Sequence, residues 1–167
     1  MHDSILFVCL GNICRSPMAE AVMRDLLERE GLADRIAVDS AGTGDWHVGH
    51  PPHEGTRRIL EAHGISCAGQ RARQLREEDG ERFGLIVAMD RSNERDIAEF
   101  LKPGHRATVI RFMSLLPGMR RDDVPDPYYT GNFEEVFALV REGCERLMAD
   151  VRGRHALSSN DHPRQHD

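Results

Sequence analysis

Short apolar runs alternate with segments of helical periodicity along this chain, and the alternation predicts an α/β fold with a parallel sheet. Strands are expected at residues 5–8, 36–38, 85–89 and 107–110. The first and third of these runs are apolar at every position, which is typical of buried parallel strands. The pattern therefore predicts one domain built on a sheet of four parallel strands.

Helices are predicted between the strands, where apolar residues recur at helical spacing. The first begins near Ser16, which is able to cap it, carries Pro17 in its first turn and ends at Gly31. Two more are expected over residues 53–63 and 92–101, and a long closing helix starts at Phe133. Residues 122–131 lack periodicity and are predicted to form a loop. Residues 1–152 are expected to form the domain, and the polar, aperiodic residues 153–167 a disordered tail.

Composition narrows the classes of function. The 167-residue chain carries 22 basic and 28 acidic residues, a net charge of −6, so no general surface for nucleic acid is expected. The apolar run at residues 5–8 is far shorter than the roughly 20 residues that span a bilayer, and it lacks the basic lead of a signal peptide. The four cysteines have no disulfide-framework spacing. A cytoplasmic protein without membrane contact is the expectation.

The segment between the first strand and the first helix carries a candidate phosphate site. Cys9 ends the strand and Arg15 stands at the start of the helix, where backbone N–H groups and the helix dipole favour an anion. A thiolate at Cys9 is a nucleophile, and the Arg15 guanidinium can bind two phosphate oxygens at once. The loop between Cys9 and Arg15 and the residue after Arg15 are expected to bind the phosphoryl group. These residues are Leu10, Gly11, Asn12, Ile13, Cys14 and Ser16.

Other uses of such a turn are less consistent with the sequence. A strand, a glycine and a helix start occur in most α/β proteins, and cysteine is often a buried packing residue. No Gly-Lys-Ser/Thr follows the loop, which excludes a nucleotide P-loop, and no G-x-G-x-x-G supports a dinucleotide site. Phosphoryl transfer to Cys9 is the favoured chemistry.

A proton donor for the leaving group is predicted at Asp126, because expulsion of an alkoxide or phenolate needs general acid catalysis. Two prolines flank Asp126 and stiffen its loop, although Asp-Pro is also a common turn dipeptide. Both tyrosines of the chain, Tyr128 and Tyr129, follow at once. With Trp46, the only tryptophan, they are expected to form the walls of a pocket for an aromatic group.

These motifs together resemble the low-molecular-weight protein tyrosine phosphatases of bacterial type. The resemblance extends over nearly all of residues 4–150 and depends on five segments: VCLGNICRSPMAE at 8–20, DSAG at 39–42, DWHVG at 45–49, AMD at 88–90 and DPYY at 126–129. It implies a doubly wound, flavodoxin-like, three-layer sandwich and hydrolysis of phosphotyrosine through a cysteinyl-phosphate.

The resemblance also implies a role for each site residue. Cys9 is the expected nucleophile, Arg15 the phosphate clamp and Asp126 the general acid. Asn12 and Ser40 are expected to brace the loop, Ser16 to assist Cys9, and His63 and Asp90 to form a supporting polar pair. The expected partners are phosphotyrosine proteins and inorganic phosphate, with no metal, no organic cofactor, no nucleic acid and a monomeric state.

Three alternatives stay open at this stage. Arsenate reductases share the loop, but they use extra cysteines after the third strand, and residues 90–104 contain none. Arginine phosphatases also resemble the chain, but they carry Thr where Ile13 stands and lack the paired tyrosines. A metal module is suggested only by His47, His50 and His53, which lie in a Gly- and Pro-containing loop.

Two roles are also open for Cys14. It is either a small packing residue or, as the resemblance implies, a resolving thiol that pairs with Cys9 under oxidation.

Overall fold

The four predicted strands form a single parallel sheet in the order β2-β1-β3-β4. The computed structural model describes the backbone of residues 3–166 and the side chains of residues 3–154. The strands are β1 (Ser4–Cys9), β2 (Ala37–Gly42), β3 (Leu85–Ala88) and β4 (Thr108–Arg111). The predicted α/β class, with four parallel strands between helices, is confirmed.

Six helices accompany the strands in the described part of the chain. They are α1 (Arg15–Arg29), α2 (Glu54–Ala62), α3 (Asp79–Arg82), α4 (Arg91–Phe100), α5 (Pro127–Thr130) and α6 (Phe133–His166), with two 3₁₀ turns over Phe112–Leu115 and Pro117–Met119. None of them is both long enough and apolar enough to cross a membrane. Helix α6 extends over residues 153–166, where the sequence predicts a disordered tail; the side chains from residue 155 onward lie outside the described residues, and the disorder stays a prediction.

Strand β1 lies in the centre of the molecule and is buried on both faces. Ile5 and Phe7 pack against α1 and α6, whereas Leu6 and Val8 pack against α4 in a second core. The two-sided burial explains why the run is apolar at every position. As predicted, α6 presents one apolar face to the core, with Val140 and Cys144 fully buried.

Strand β2 is longer than its sequence predicts. The apolar run suggested an end at Val38, but parallel pairing with β1 continues from Ser4 opposite Ala37 to Cys9 opposite Gly42. The ladder of backbone hydrogen bonds outweighs the polar character of Asp39 and Ser40. Ser40 is consequently buried within the strand, 5% exposed, rather than lying in a loop beyond it.

The carboxyl ends of β1 and β3 meet at one edge of the sheet, and the later part of the chain returns to the same edge. The Met89 amide donates to the Val8 carbonyl at 3.0 Å, and the Val124 amide donates to the Met89 carbonyl at 2.9 Å. Strand order changes direction beside β1, which is where open α/β sheets bind ligands. The fold thus brings Cys9 close to residues more than a hundred positions later in the chain.

Candidate active site

Cys9 and Arg15 lie at the two ends of a buried loop that closes one end of a cavity. Cys9 is the last residue of β1 and Arg15 the first of α1, and they are 3% and 2% exposed. Both line a cavity of about 340 Å³. A nucleophilic sulfur and a planar cation therefore converge on one small space, as the sequence predicts.

The Arg15 guanidinium is held along one side and open along the other. Its Nη1 donates to Asp90 Oδ2 at 2.7 Å and to the Val124 carbonyl at 2.9 Å. Its Nη2 makes only a 3.4 Å contact with Asp126 Oδ2, and its buried Nε has no protein partner. Burial lowers the pKa of Arg15, but the neighbouring Cys9 and the two carboxylates raise it, and the net direction is upward. The Nε–Nη2 edge is the one available to bind two oxygens of a ligand.

Ser16 does not cap the first helix, contrary to the prediction. The helix begins one residue earlier, at Arg15, and its N-cap residue, Cys14, makes no side-chain capping bond. The Ser16 hydroxyl instead lies 3.0 Å from the Cys9 sulfur, and it accepts a 2.8 Å hydrogen bond from Asn12 Nδ2. Because Asn12 already supplies a donor, the hydroxyl proton of Ser16 has two acceptors in reach, the Cys9 sulfur at 3.0 Å and the Ala41 carbonyl at 3.5 Å, and the sulfur is the nearer.

Asn12 fixes the conformation of the loop from below. Its backbone has a φ of 55°, in the left-handed region. Its Nδ2 also donates to Ser40 Oγ at 3.0 Å, and its Oδ1 accepts from the Arg73 amide at 2.9 Å. Asn12, Ser16 and Ser40 therefore support the loop from the protein interior and do not line the cavity.

The chain of hydrogen bonds ends at a buried carboxylate that the sequence did not reveal. Ser40 Oγ donates to Glu20 Oε1 at 2.6 Å, and Arg24 contacts the other oxygen at 2.8 Å. Burial raises the pKa of Glu20, while the Ser40 hydrogen bond and Arg24 oppose that rise. Arg73, which binds Asn12 through its amide, is itself held by the buried Asp79.

Two substitutions at Asn12 should separate backbone strain from hydrogen bonding. Asn12→Gly removes the side-chain bonds but tolerates the left-handed φ, whereas Asn12→Ala removes the bonds and adds strain. We expect Asn12→Ala to have an unfolding free energy about 1 kcal/mol below that of Asn12→Gly. Urea denaturation of both variants measures the difference. Equal stability, or a more stable alanine variant, would contradict the assigned geometry.

Asp126 reaches the cavity from a short helical turn rather than from the irregular loop that was predicted. It is the N-cap residue of α5, its Oδ1 accepts from the Tyr128 amide at 3.1 Å, and Pro127 occupies the first helical position. Asp-Pro is typical of a helix start as well as of a turn, because Asp can cap the helix and Pro fits its first position. Asp126 Oδ2 contacts Arg15, and the side chain is 24% exposed.

Aromatic rings surround the mouth of the cavity, as the sequence predicts. Trp46, Tyr128 and Tyr129 line it while remaining 67%, 53% and 75% exposed. His47 also lines the cavity and was missed as a site residue, although it directly follows Trp46. Its ring lies 6.2 Å from that of Tyr128. The predicted cradle residues Leu10, Gly11, Ile13 and Cys14 line the inner part.

The two cysteines of the loop have different environments. Burial and the nearby Cys9 raise the pKa of Cys14 to about 12, so Cys14 is a protonated thiol at neutral pH. Cys14 packs with Ile13 and Ala72 in a small apolar cluster. Both cysteines are free thiols in the structure. The structure thus shows the packing role of Cys14, whereas its role as a resolving thiol stays a prediction.

The expected pair of His63 and Asp90 is not formed. Asp90 follows β3, caps α4 through a 2.7 Å bond from the Asn93 amide, and binds Arg15. His63 follows α2, contacts the Ile59 carbonyl at 2.9 Å, and stacks on Phe137 at a centroid distance of 4.1 Å. It lines a separate groove of about 990 Å³ between α2 and α6, which contains neither Cys9 nor Arg15.

The three loop histidines serve aromatic packing and capping. His53 stacks on Phe133 at 5.2 Å, and its Nδ1 accepts from the Gly55 amide at 3.0 Å at the start of α2. His47 and His50 lie 5.8 Å apart, ring to ring. Within the described residues, no group of three His, Cys, Asp or Glu side chains is arranged to hold a metal ion.

Comparisons with known proteins agree with this geometry. The family model described as low molecular weight phosphotyrosine protein phosphatase matches residues 4–157. The low molecular weight protein-tyrosine-phosphatase YfkJ of Bacillus subtilis is 52% identical over 152 residues, which are 89% of this chain and 96% of that protein. PtpA of Staphylococcus epidermidis, with the same description, is 46% identical over 144 residues, covering 86% of this chain and 90% of its own.

Solved structures give the same result. The crystal structure of YfkJ superposes with a TM-score of 0.87 at 50% identity, covering 90% of this chain and 95% of that one. An arginine phosphatase from Drosophila superposes with a TM-score of 0.81 at 32% identity, covering 90% and 98%. The fold, the Cys9–Arg15 loop and both kinds of comparison agree: this chain is a member of the low molecular weight phosphotyrosine protein phosphatase family.

Proposed function

We propose that this protein hydrolyses phosphotyrosine in proteins, with Cys9 as nucleophile, Arg15 as phosphate clamp and Asp126 as general acid and base. The observation that carries the proposal is the Nε–Nη2 edge of Arg15, in the aromatic-walled cavity that Cys9 also lines: Nε is buried without a protein partner, and Nη2 has only the 3.4 Å contact with Asp126. A buried donor without a protein partner indicates a missing acceptor. A phosphoryl group supplies such an acceptor and matches the planar guanidinium.

In the first step, the Cys9 thiolate attacks phosphorus opposite the ester oxygen. The P–S bond forms as the P–O bond breaks, and the Asp126 carboxyl gives its proton to the departing phenolate. Arg15 and the loop amides stabilise the charge that spreads over the equatorial oxygens. Asp90 and the Val124 carbonyl keep Arg15 in place, because they bind its Nη1 and do not occupy the Nε–Nη2 edge.

In the second step, water attacks the cysteinyl-phosphate. The Asp126 carboxylate accepts a proton from that water, the P–S bond breaks, and inorganic phosphate leaves. The Ser16 hydroxyl, 3.0 Å from the Cys9 sulfur, donates to the thiolate as it departs. The two steps balance with water as the only co-reactant, and inorganic phosphate is both product and competitive ligand.

The walls of the cavity favour an aromatic substrate. Trp46 and Tyr128 line the cavity, where they can contact a phenyl group whose phosphate reaches the loop, and such ring pairs contribute about 0.5–1.5 kcal/mol beyond area burial. The exposure of these rings leaves room for the polypeptide that carries the phosphotyrosine. A monomeric state and a cytoplasmic location remain predictions from the sequence.

Arginine phosphate is the second candidate substrate, since the Drosophila arginine phosphatase has the same fold. Ile13 argues against it, because this buried, cavity-lining side chain is apolar and offers no hydroxyl to bind the phosphoramidate or its attacking water.

Ile13→Thr should raise the ratio of kcat/KM for phosphoarginine to that for phosphotyrosine roughly tenfold, the effect of one hydrogen bond. Ile13→Val is the matched control, because valine has the shape of threonine without its hydroxyl. Steady-state kinetics on both substrates measure the ratio. An equal shift in both variants would show that volume, not the hydroxyl, sets the preference.

The proposed function is tested with purified protein, a phosphotyrosine peptide and p-nitrophenyl phosphate. We expect release of inorganic phosphate from both substrates, competitive inhibition by added phosphate and no change on addition of a chelator. Failure to hydrolyse either substrate, or turnover that a chelator abolishes, would overturn the proposal.

A further inference from the structure

Gly44 lies directly under the indole of Trp46. A Cβ added at Gly44 would overlap the Cζ3 and Cε3 atoms of the ring and come within 2.9 Å of Cη2. The backbone φ of Gly44 is not positive, so the need for glycine here arises from space rather than from backbone conformation. The bare Cα of Gly44 is the surface on which the Trp46 ring lies.

The backbone of Gly44 has little freedom to move away from the ring. Its amide donates to the Leu10 carbonyl at 2.9 Å, and the preceding Thr43 amide donates to the Cys9 carbonyl at 2.9 Å. Both acceptors belong to the loop that forms the phosphate site. A side chain at Gly44 must therefore displace either Trp46 or the loop that holds the nucleophile.

Of the two, the Trp46 side chain is the one that can move. It is 67% exposed, so it can rotate outward into solvent. The turn that carries it is closed by the Val48 amide, which contacts the Asp45 carbonyl at 3.4 Å, and the Gly49 amide anchors it to the Ala72 carbonyl at 2.8 Å. A methyl group at Gly44 is expected to turn the indole out of the cavity wall while leaving the backbone in place.

The geometry points to Gly44 as a positioning residue for recognition of the aryl group, acting through Trp46. The inference rests on the proposed phosphatase function. Affinity for the aromatic ring of the substrate then depends on Gly44, although Gly44 does not line the cavity. Binding of the phosphate itself depends on the loop and Arg15, and it should not respond to the change.

The test is Gly44→Ala, with Gly118→Ala as control, because a Cβ at Gly118 meets nothing within 4 Å. We expect the KM for a phosphotyrosine peptide to rise roughly 3- to 10-fold in Gly44→Ala, the value of one ring contact, with kcat little changed. The inhibition constant of inorganic phosphate should stay at the wild-type value. Trp46 is the only tryptophan, so its fluorescence should shift to longer wavelength and be quenched more readily by iodide.

A double-mutant cycle with Trp46→Ala completes the test. Once the indole is removed, Gly44→Ala should no longer affect KM, because the clash has gone. If Gly44→Ala alone does not fold, Trp46→Ala should restore folding in the double variant, and failure to do so would overturn the inference.

Unchanged KM and unchanged fluorescence in a folded Gly44→Ala would overturn it too. Wild-type protein without phosphatase activity would instead refute the proposed function, and the fluorescence of Gly44→Ala would still report whether Gly44 seats the ring.

Discussion

Replacing Cys9 with Ser should reduce the turnover of aryl phosphates by about 10⁴-fold or more, the scale seen when a catalytic nucleophile is removed. A serine hydroxyl keeps its proton at neutral pH and is a far weaker nucleophile than a thiolate. The neighbouring Cys14 does not replace it as nucleophile, because the pKa of its thiol is raised to about 12 and that thiol stays protonated.

The variant should still bind inorganic phosphate, since the Arg15 edge and the loop amides are unchanged. Turnover is measured with p-nitrophenyl phosphate, and phosphate binding by calorimetry. Cys67→Ser is the matched control, because Cys67 is half-buried and lies outside the cavity, and it should retain wild-type turnover. Substantial activity in Cys9→Ser would rule out the cysteinyl-phosphate mechanism.

The inner part of the site could be predicted from the sequence because its parts are contiguous. The strand, the loop and the helix start follow one another within residues 4–16, so local patterns define them. The position of Cys9 at the carboxyl end of a central strand also follows from general rules of α/β sheets. The aromatic walls were predictable because Trp46 and the two tyrosines are rare residues in this chain.

Apart from the bracing by Asn12 and Ser40 that the resemblance implies, the supporting network could not be predicted, because long-range pairing creates it. Ser40 becomes buried only when β2 extends beside β1. The extension brings the Ser40 hydroxyl to Glu20, for which the sequence predicts no role. Arg73 supports Asn12 through a backbone amide, which carries no sequence signature. The pairing of His63 with Asp90, transferred from the family pattern, was wrong because α2 places His63 against Phe137 instead.

The resting contact between Arg15 and Asp126 fits the proposed sequence of events. At 3.4 Å, Asp126 Oδ2 makes a long contact with Nη2, the same nitrogen that is proposed to bind the phosphoryl group. Substrate phosphate would compete for that nitrogen and leave the carboxyl free to face the ester oxygen. The Asp126 backbone does not need to move, since its Oδ1 is already fixed by the Tyr128 amide at 3.1 Å.

Asp126→Asn should therefore lower kcat for phosphotyrosine by roughly 10²- to 10⁴-fold, the usual contribution of a general acid. The amide keeps the size and capping ability of the carboxyl, so α5 should persist and substrate binding should change little. Phosphate release from a phosphotyrosine peptide measures the loss. Asp122→Asn is the control, because this residue on the same segment pairs with Arg111 at 3.0 Å outside the cavity.

The effect of Asp126→Asn on substrates with different leaving groups distinguishes the loss of a proton donor from a structural defect. p-Nitrophenolate departs without much help from an acid, whereas the phenolate of tyrosine needs its proton, so Asp126→Asn should impair p-nitrophenyl phosphate hydrolysis much less. A structural defect would slow both substrates equally, and that result would count against Asp126 as the acid.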